Sequence, residues 1–152
     1  MEIRTRLLKD ETILEIGRFA VLWNLFERSY FRRRCNACKI KNNADRFRID
    51  SNIQEHFAKQ LNARCELLGQ DIHVYVRKSL HDIEGENLNE EYVAEMVRFL
   101  QYPSDDTTCG CLLAVCRIRN NLMHGIKDIK ELDDQIELFR AANEVLENVE
   151  RS

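Results

Sequence analysis

The chain has 152 residues, the length of one ordinary domain and enough to bury a core. Hydrophobic residues at 44% and charged residues at 32% exclude the composition of a disordered segment, and one proline with five glycines gives little support to a turn-rich β architecture. A net charge of −3 excludes nucleic-acid binding over the whole surface, so any such binding must come from a local patch.

From Met1 to Glu11 the chain is heavily charged and unlike a signal peptide. The apolar run that follows is interrupted by Arg18, Asn24 and Glu27, and no stretch approaches the roughly 20 residues of a membrane span. A cytoplasmic protein without a membrane partner is therefore expected. Reducing conditions there argue that the six cysteines are free thiols or metal ligands.

The first helix is predicted from about Glu11 to Arg34. Ile13, Leu14, Ile16, Phe19, Ala20, Val21, Leu22, Trp23, Leu25 and Phe26 are apolar around most of its circumference, which predicts a central helix wrapped by others. Asn24 and Glu27 lie three apart on one side of it. Asn36 to Asp50 lacks apolar periodicity and reads as a loop. Ser51 is a suitable cap for a second helix with a stripe of Ile53, Phe57, Leu61 and Leu68. A further helical stretch follows Gly69 through Ile72, Val76 and Leu80, and Gly85 to Asn89 breaks it. Glu90 to Tyr102 is helical and is stopped by Pro103. Thr107 or Thr108 caps the next helix, which ends near Gly125, and Glu131 to Glu150 forms an acidic amphipathic last helix. With no repeat or linker, residues 1–152 read as a single all-α domain, an up-and-down bundle of about five helices.

The segment Cys116-Arg117-Ile118-Arg119-Asn120-Asn121-Leu122-Met123-His124-Gly125 carries the most chemistry. Leu112, Val115, Cys116, Leu122 and Met123 form an apolar stripe with Arg119 in its middle. A guanidinium there must be paired, or must face a groove or partner chain, because burying it alone is costly. Asn120 and His124 are four apart and share a face, whereas Arg119 and His124 are roughly 140° apart on an ideal helix. Arginine's long stem, or the break at Gly125, has to bring both to one phosphate. The competing structural reading is a salt-bridged arginine beside a surface histidine.

Arg119-Asn120-x-x-x-His124 resembles the Arg-x4-6-His motif of the HEPN superfamily, with Asn120 as the polar residue that often follows the arginine. The place of the motif, late in a fourth long helix of a small all-α domain, is similar too. So, more loosely, is Trp23-Asn24-Leu25-Phe26-Glu27, which resembles the aromatic-rich, acid-containing opening helix of several HEPN groups. The close match covers about ten residues of the sequence. The resemblance implies a HEPN-like bundle, a homodimer in which two motifs meet, and cleavage of single-stranded RNA without a metal or other cofactor, by a toxin or anti-phage effector. Arg119 would engage the scissile phosphate, His124 would transfer protons and Asn120 would position them, with Glu27 and Asn24 in support. In some HEPN toxins a tyrosine two residues after the histidine is modified by a partner. That position is Ile126, so this route of neutralisation is not supported and any cognate antitoxin is unidentified.

The residue chemistry fits this expectation independently. Attack by a ribose 2′-hydroxyl needs a proton acceptor, a proton donor and positive charge at the phosphate. Histidine's ordinary pKa of about 6.5 suits both proton roles, and arginine offers a planar, permanently charged fork. From Arg28 to Arg48 stand eight basic residues, among them Arg32, Arg33, Arg34, Lys39, Lys41, Arg46 and Arg48, against the single acid Asp45. Tyr30, Phe31 and Phe47 interleave them, a pattern suited to single-stranded RNA, although a solvated helix end and loop has the same composition. The rival function is a non-catalytic HEPN-like module that binds RNA, a nucleotide or a partner protein. A third, a zinc-stabilised adaptor, depends on Cys35-x-x-Cys38 joining Cys109-x-Cys111, whose short spacing and start of a predicted helix argue against it. Cys65 and Cys116 read as core residues, and His56, His73 and His81 have no partner at ligand spacing.

Overall fold

The computed structural model describes residues 8–32, 35–84, 88–123 and 130–151, with the residues at several helix ends (82–84, 123, 130–131 and 150–151) described by their backbone alone. Among the described residues there are eight α-helices and no strand. They are α1 (Asp10–Phe31), α2 (Ala37–Asn43), α3 (Ser51–Leu67), α4 (Ile72–Glu84), α5 (Glu90–Gln101), α6 (Thr108–Met123), α7 (Lys130–Asp134) and α8 (Ile136–Arg151). The all-α reading holds, whereas eight helices replace the about five expected.

The centre of the fold is α6, not α1. Helices α2, α3, α4 and α5 all pack on α6, while α1 packs chiefly on α8, which in turn packs on α3. Every residue from Thr107 to Cys116 is buried. On α1 only Thr12, Phe19, Trp23 and Phe26 are buried, and Leu14 and Val21 remain 70% and 60% exposed. The apolar residues around its circumference therefore do not mark a wrapped helix. Its inner face holds the large rings and its outer face is left in solvent.

The segment expected to be a loop is largely ordered into structure. Asn36 caps α2 by accepting a hydrogen bond from the Lys39 N–H at 2.9 Å, and a 3-10 turn over Ala44–Arg46 continues it. Ala37, Ile40, Phe47 and Ile49 are buried. Seven residues are too few to show a helical period, and burial against α6 supplies the stability that local propensity lacks. Phe26 sits in a ring cluster with Trp23, Tyr30, Phe31 and Phe47, at centroid distances of 5.4 to 5.7 Å. These aromatics fill the core between α1 and the segment after α2, so Phe47 is not free to stack on bases.

Helix ends also shift from their sequence readings. Asp50, not Ser51, caps α3, accepting from the Asn52 N–H at 2.8 Å. At the other end Gly69, with φ of 65°, lets its own N–H and that of Gln70 bond back to Glu66 and Cys65, closing a Schellman motif. Leu68, placed on the buried stripe by periodicity, lies in that turn and is 45% exposed. Ser104 caps a 3-10 turn over Asp105–Thr107 in a reciprocal capping box, and α6 begins only at Thr108. The single last helix becomes α7 and α8, with a turn at Gln135 between them.

Two polar networks fix the packing. The Thr107 hydroxyl donates to Gln54 Oε1 at 2.6 Å, and Gln54 Nε2 donates to the Ile49 carbonyl, joining the start of α6 to α3. Asn143 Nδ2 donates to the Glu15 carbonyl and carboxylate, and Arg18 pairs with Glu147, joining α8 to α1. Gly110 is the point of closest approach between α5 and α6, since a Cβ there would lie 2.3 Å from the Glu95 carbonyl oxygen. No helix among the described residues is long and apolar enough to cross a membrane.

Candidate functional site

Arg119 stands where α6 leaves the core. The helix is fully buried through Cys116, and beyond it Arg117, Arg119, Asn121 and Leu122 are half-buried while Ile118 and Asn120 stay buried. Arg119 Nη1 donates to Asn120 Oδ1 at 2.8 Å, and Asn120 is 9% exposed. A buried amide is a firm support, so Asn120 holds its neighbour's guanidinium in one orientation. Among the described residues no carboxylate forms an ion pair with Arg119.

The Cys35 thiol lies within electrostatic reach of residues from three helices, Arg119 among them. Helix α1 ends at Arg32, whose φ of 60° turns the chain sharply. The turn brings Cys35 back beneath α1, where its N–H donates to Glu27 Oε2 at 2.7 Å. The Cys35 thiol lies within electrostatic reach of Cys116, Glu27, Lys39 and Arg119. Burial is the main cause that drives its pKa far up; Cys116 and Glu27 add to the rise, and Lys39 and Arg119 oppose it. The thiol is therefore a protonated packing group and not a nucleophile. Glu27 and Arg119, separated by 92 positions in the chain, are brought to one neighbourhood around Cys35.

Of the other expected site residues, Asn24 is exposed on α1 one turn before Glu27. His124 lies outside the described residues, as do Gly125, Ile126, Arg33 and Arg34. The basic segment does not form one face. Lys39 is half-buried on the Cys35 side, and Arg32 and Arg46 are exposed. Lys41, two residues from Lys39 and so roughly 200° round α2, points the other way and bonds Glu95 at 3.3 Å. It lines, with Arg48 and Arg98, a hollow of about 720 Å³ that also holds Asp45, Asp50, Glu95, Asp105 and Asp106. Five carboxylates against three cations make that hollow unattractive to phosphate. What the sequence reading missed here is Cys35, whose thiol lies within electrostatic reach of both Lys39 and Arg119. The only signal was Asn36 as a helix cap.

The cysteine pairs are placed apart. Cys35 faces Cys116 and Arg119, whereas Cys109 lies near Glu95, Lys41 and Asp45, with its pKa pushed up to about 12 mainly by burial. Cys38 is exposed, and its sulfur accepts from Asn42 Nδ2 at 3.5 Å. Among the described residues no three histidine, cysteine or acidic side chains are grouped to hold a metal ion.

No protein-family model matches the chain, and neither a curated protein nor a solved structure does.

Proposed function

We propose that this chain is a HEPN-type, metal-independent endoribonuclease that cleaves single-stranded RNA by 2′-hydroxyl attack, acting as a homodimeric toxin or anti-phage effector. The observation that supports this reading best is Arg119: a half-buried guanidinium, braced by a buried Asn120 and without a carboxylate partner among the described residues. A purely structural arginine at such a depth is ordinarily neutralised by an acid, because its desolvation is costly. Oriented, and without an acid partner among the described residues, it suits a phosphodiester, whose oxygens accept from the guanidinium fork.

On this reading Arg119 stabilises charge at the scissile phosphate and His124, the residue after the last described turn of α6, transfers protons. Two subunits supply two histidines, one as base and one as acid. Asn120 positions Arg119, and Glu27 tunes the charge of the neighbourhood through Cys35. General acid–base catalysis of this kind contributes about 10²–10⁴-fold, and phosphate stabilisation a comparable factor.

The test is cleavage of single-stranded RNA in EDTA, with the product end assigned as a 2′,3′-cyclic phosphate. Arg119→Ala and His124→Ala are each expected to abolish cleavage with folding retained. Unchanged cleavage in either variant removes that residue from the mechanism. RNA binding without cutting, by the wild-type protein, instead supports a non-catalytic module that uses the same groove.

A further inference from the structure

Arg117 and Arg119 are two residues apart on α6, roughly 200° round the helix, so their side chains leave it on opposite sides. Arg119 lies within electrostatic reach of Cys35, whereas Arg117 reaches across to α4, where Nη1 donates to the Tyr75 hydroxyl at 3.2 Å and the guanidinium carbon lies 5.0 Å from the ring centroid. Beside Arg117 opens a pocket of about 270 Å³ that Tyr75, Lys78, His81, Gln70 and Leu68 complete.

Two features separate this pocket from an ordinary surface dimple. Its charged and titratable lining is cationic or neutral among the described residues, none of which supplies a carboxylate to it. Burial pushes the pKa of the Tyr75 hydroxyl up, and the charges that oppose the rise are those of Arg117 and Arg64, so the hydroxyl is a neutral donor and acceptor within a cationic field. The second feature is the condition of Arg117 itself. Its Nε is buried without a hydrogen-bond partner, and Tyr75 is the one acceptor found for the five donors of the guanidinium among the described residues. Three cationic or protonatable side chains line a space of about 270 Å³, too small for a dinucleotide and large enough for a phosphoryl group with a short organic body. Leu68 and the Tyr75 ring offer that body an apolar wall.

We propose that the Arg117–Lys78–His81 pocket on the α4 side of α6 is a binding site for a phosphate monoester dianion, separate from the Arg119 neighbourhood. The phosphoryl oxygens accept from the remaining Nη donors of Arg117 and from the Lys78 ammonium and His81 imidazole at the rim. The two positive charges of Arg117 and Lys78 match the two negative charges of a monoester, which a carboxylate or chloride does not. The proposal is independent of ribonuclease activity, because no residue is shared.

Titration calorimetry of the full chain at low ionic strength, with inorganic phosphate, adenosine 5′-monophosphate and adenosine as separate probes, tests it. Saturable binding of the nucleotide and of phosphate, without binding of adenosine, is expected. Tighter binding of the nucleotide than of phosphate identifies an organic monoester as the ligand, and equal binding identifies free phosphate. Arg117→Met keeps the stem and removes the charge, and is expected to weaken binding about 10- to 100-fold. Lys78→Ala, an exposed change that spares the core, is expected to weaken it several-fold and covers the case in which Arg117→Met does not fold. Arg98→Met, on the acidic hollow, serves as the control and leaves binding unchanged. Absence of saturable phosphate and nucleotide binding at 10 mM, or binding unaltered by both pocket variants, overturns the proposal.

Discussion

The same substitution, glycine to alanine, is expected to have opposite effects at two helical positions. At Gly110 an added Cβ would stand 2.3 Å from the Glu95 carbonyl oxygen, 2.7 Å from Phe99 Cβ and 2.9 Å from the Glu95 carbonyl carbon, where ordinary contacts begin near 3.4 Å. The obstructing atoms belong to the backbone of α5 and the root of a fully buried phenylalanine, so no side-chain rotation relieves the overlap and α5 must move by about an ångström. Overpacking of this kind costs about 1–3 kcal/mol, and the overlap with backbone places Gly110 at the upper end. Alanine's helix propensity returns about 1 kcal/mol. A net loss of about 2 kcal/mol, or a melting temperature lowered by about 4–8 °C, follows for a chain of this size. At Gly17, on the outer face of α1, nothing lies within 4 Å of the added Cβ, and the propensity gain of about 0.5–1 kcal/mol is unopposed. Urea unfolding of the three proteins measures both, with midpoints moving in opposite directions at constant m. If Gly110→Ala were as stable as the wild type, the close approach of α5 and α6 would be wrong, and with it the placement of α6 as the central helix.

Thiol chemistry gives further expectations. Five of the six cysteines are buried and Cys38 is exposed, so a colourimetric thiol reagent should modify one cysteine rapidly in the folded protein and six in denaturant. Rapid modification of two or more would contradict that placement. Burial raises the pKa of Cys35, Cys109 (to about 12) and Cys111, so the folded state holds these protons more tightly than the unfolded chain. Their contribution is complete below the unfolded thiol pKa of about 8.5–9 and is lost as pH rises toward the folded values, by up to about 1.4 kcal/mol per pH unit for each thiol. Urea midpoints should fall steeply between pH 8.5 and 10, and less steeply in Cys109→Ala; a flat wild-type profile, or an equally steep fall in the variant, would refute this. Thr107→Val keeps the volume but leaves Gln54 Oε1 and the Ser104 N–H without their partner, which should cost about 1–3 kcal/mol in the same assay. A loss below half a kcal/mol would mean that water replaces the hydroxyl.

Periodicity alone was sufficient for most helices. Ile53, Phe57 and Leu61 on α3, and Val93, Met96, Val97 and Leu100 on α5, recur at three and four residues and are partly or fully buried. Where the pattern saturated, as on α1, it named a helix but not its buried side, because ten apolar residues leave no polar face to set a direction. Where the pattern was too short, as on α2, it named nothing, and contact with α6 together with the Asn36 cap orders those residues.

The site divides along the same line. Arg119 and Asn120 were legible because a guanidinium on an apolar stripe needs an explanation wherever the helix lies. That Glu27 and the Cys35 thiol come within reach of the same neighbourhood was not legible, since it depends on Cys35 bonding back to α1 and on α2 packing against α6. Nor could composition show that the basic stretch from Arg28 to Arg48 divides, with Lys39 within electrostatic reach of the Cys35 thiol and Lys41 bonded to Glu95. Helical period and charge are properties of neighbours in the chain, so an all-helical chain with an arginine where one is hard to bury could be read from the residues directly. Which charges meet and which helix is central depend on how the helices dock, because burial and Coulomb energy act through space between residues far apart in the chain.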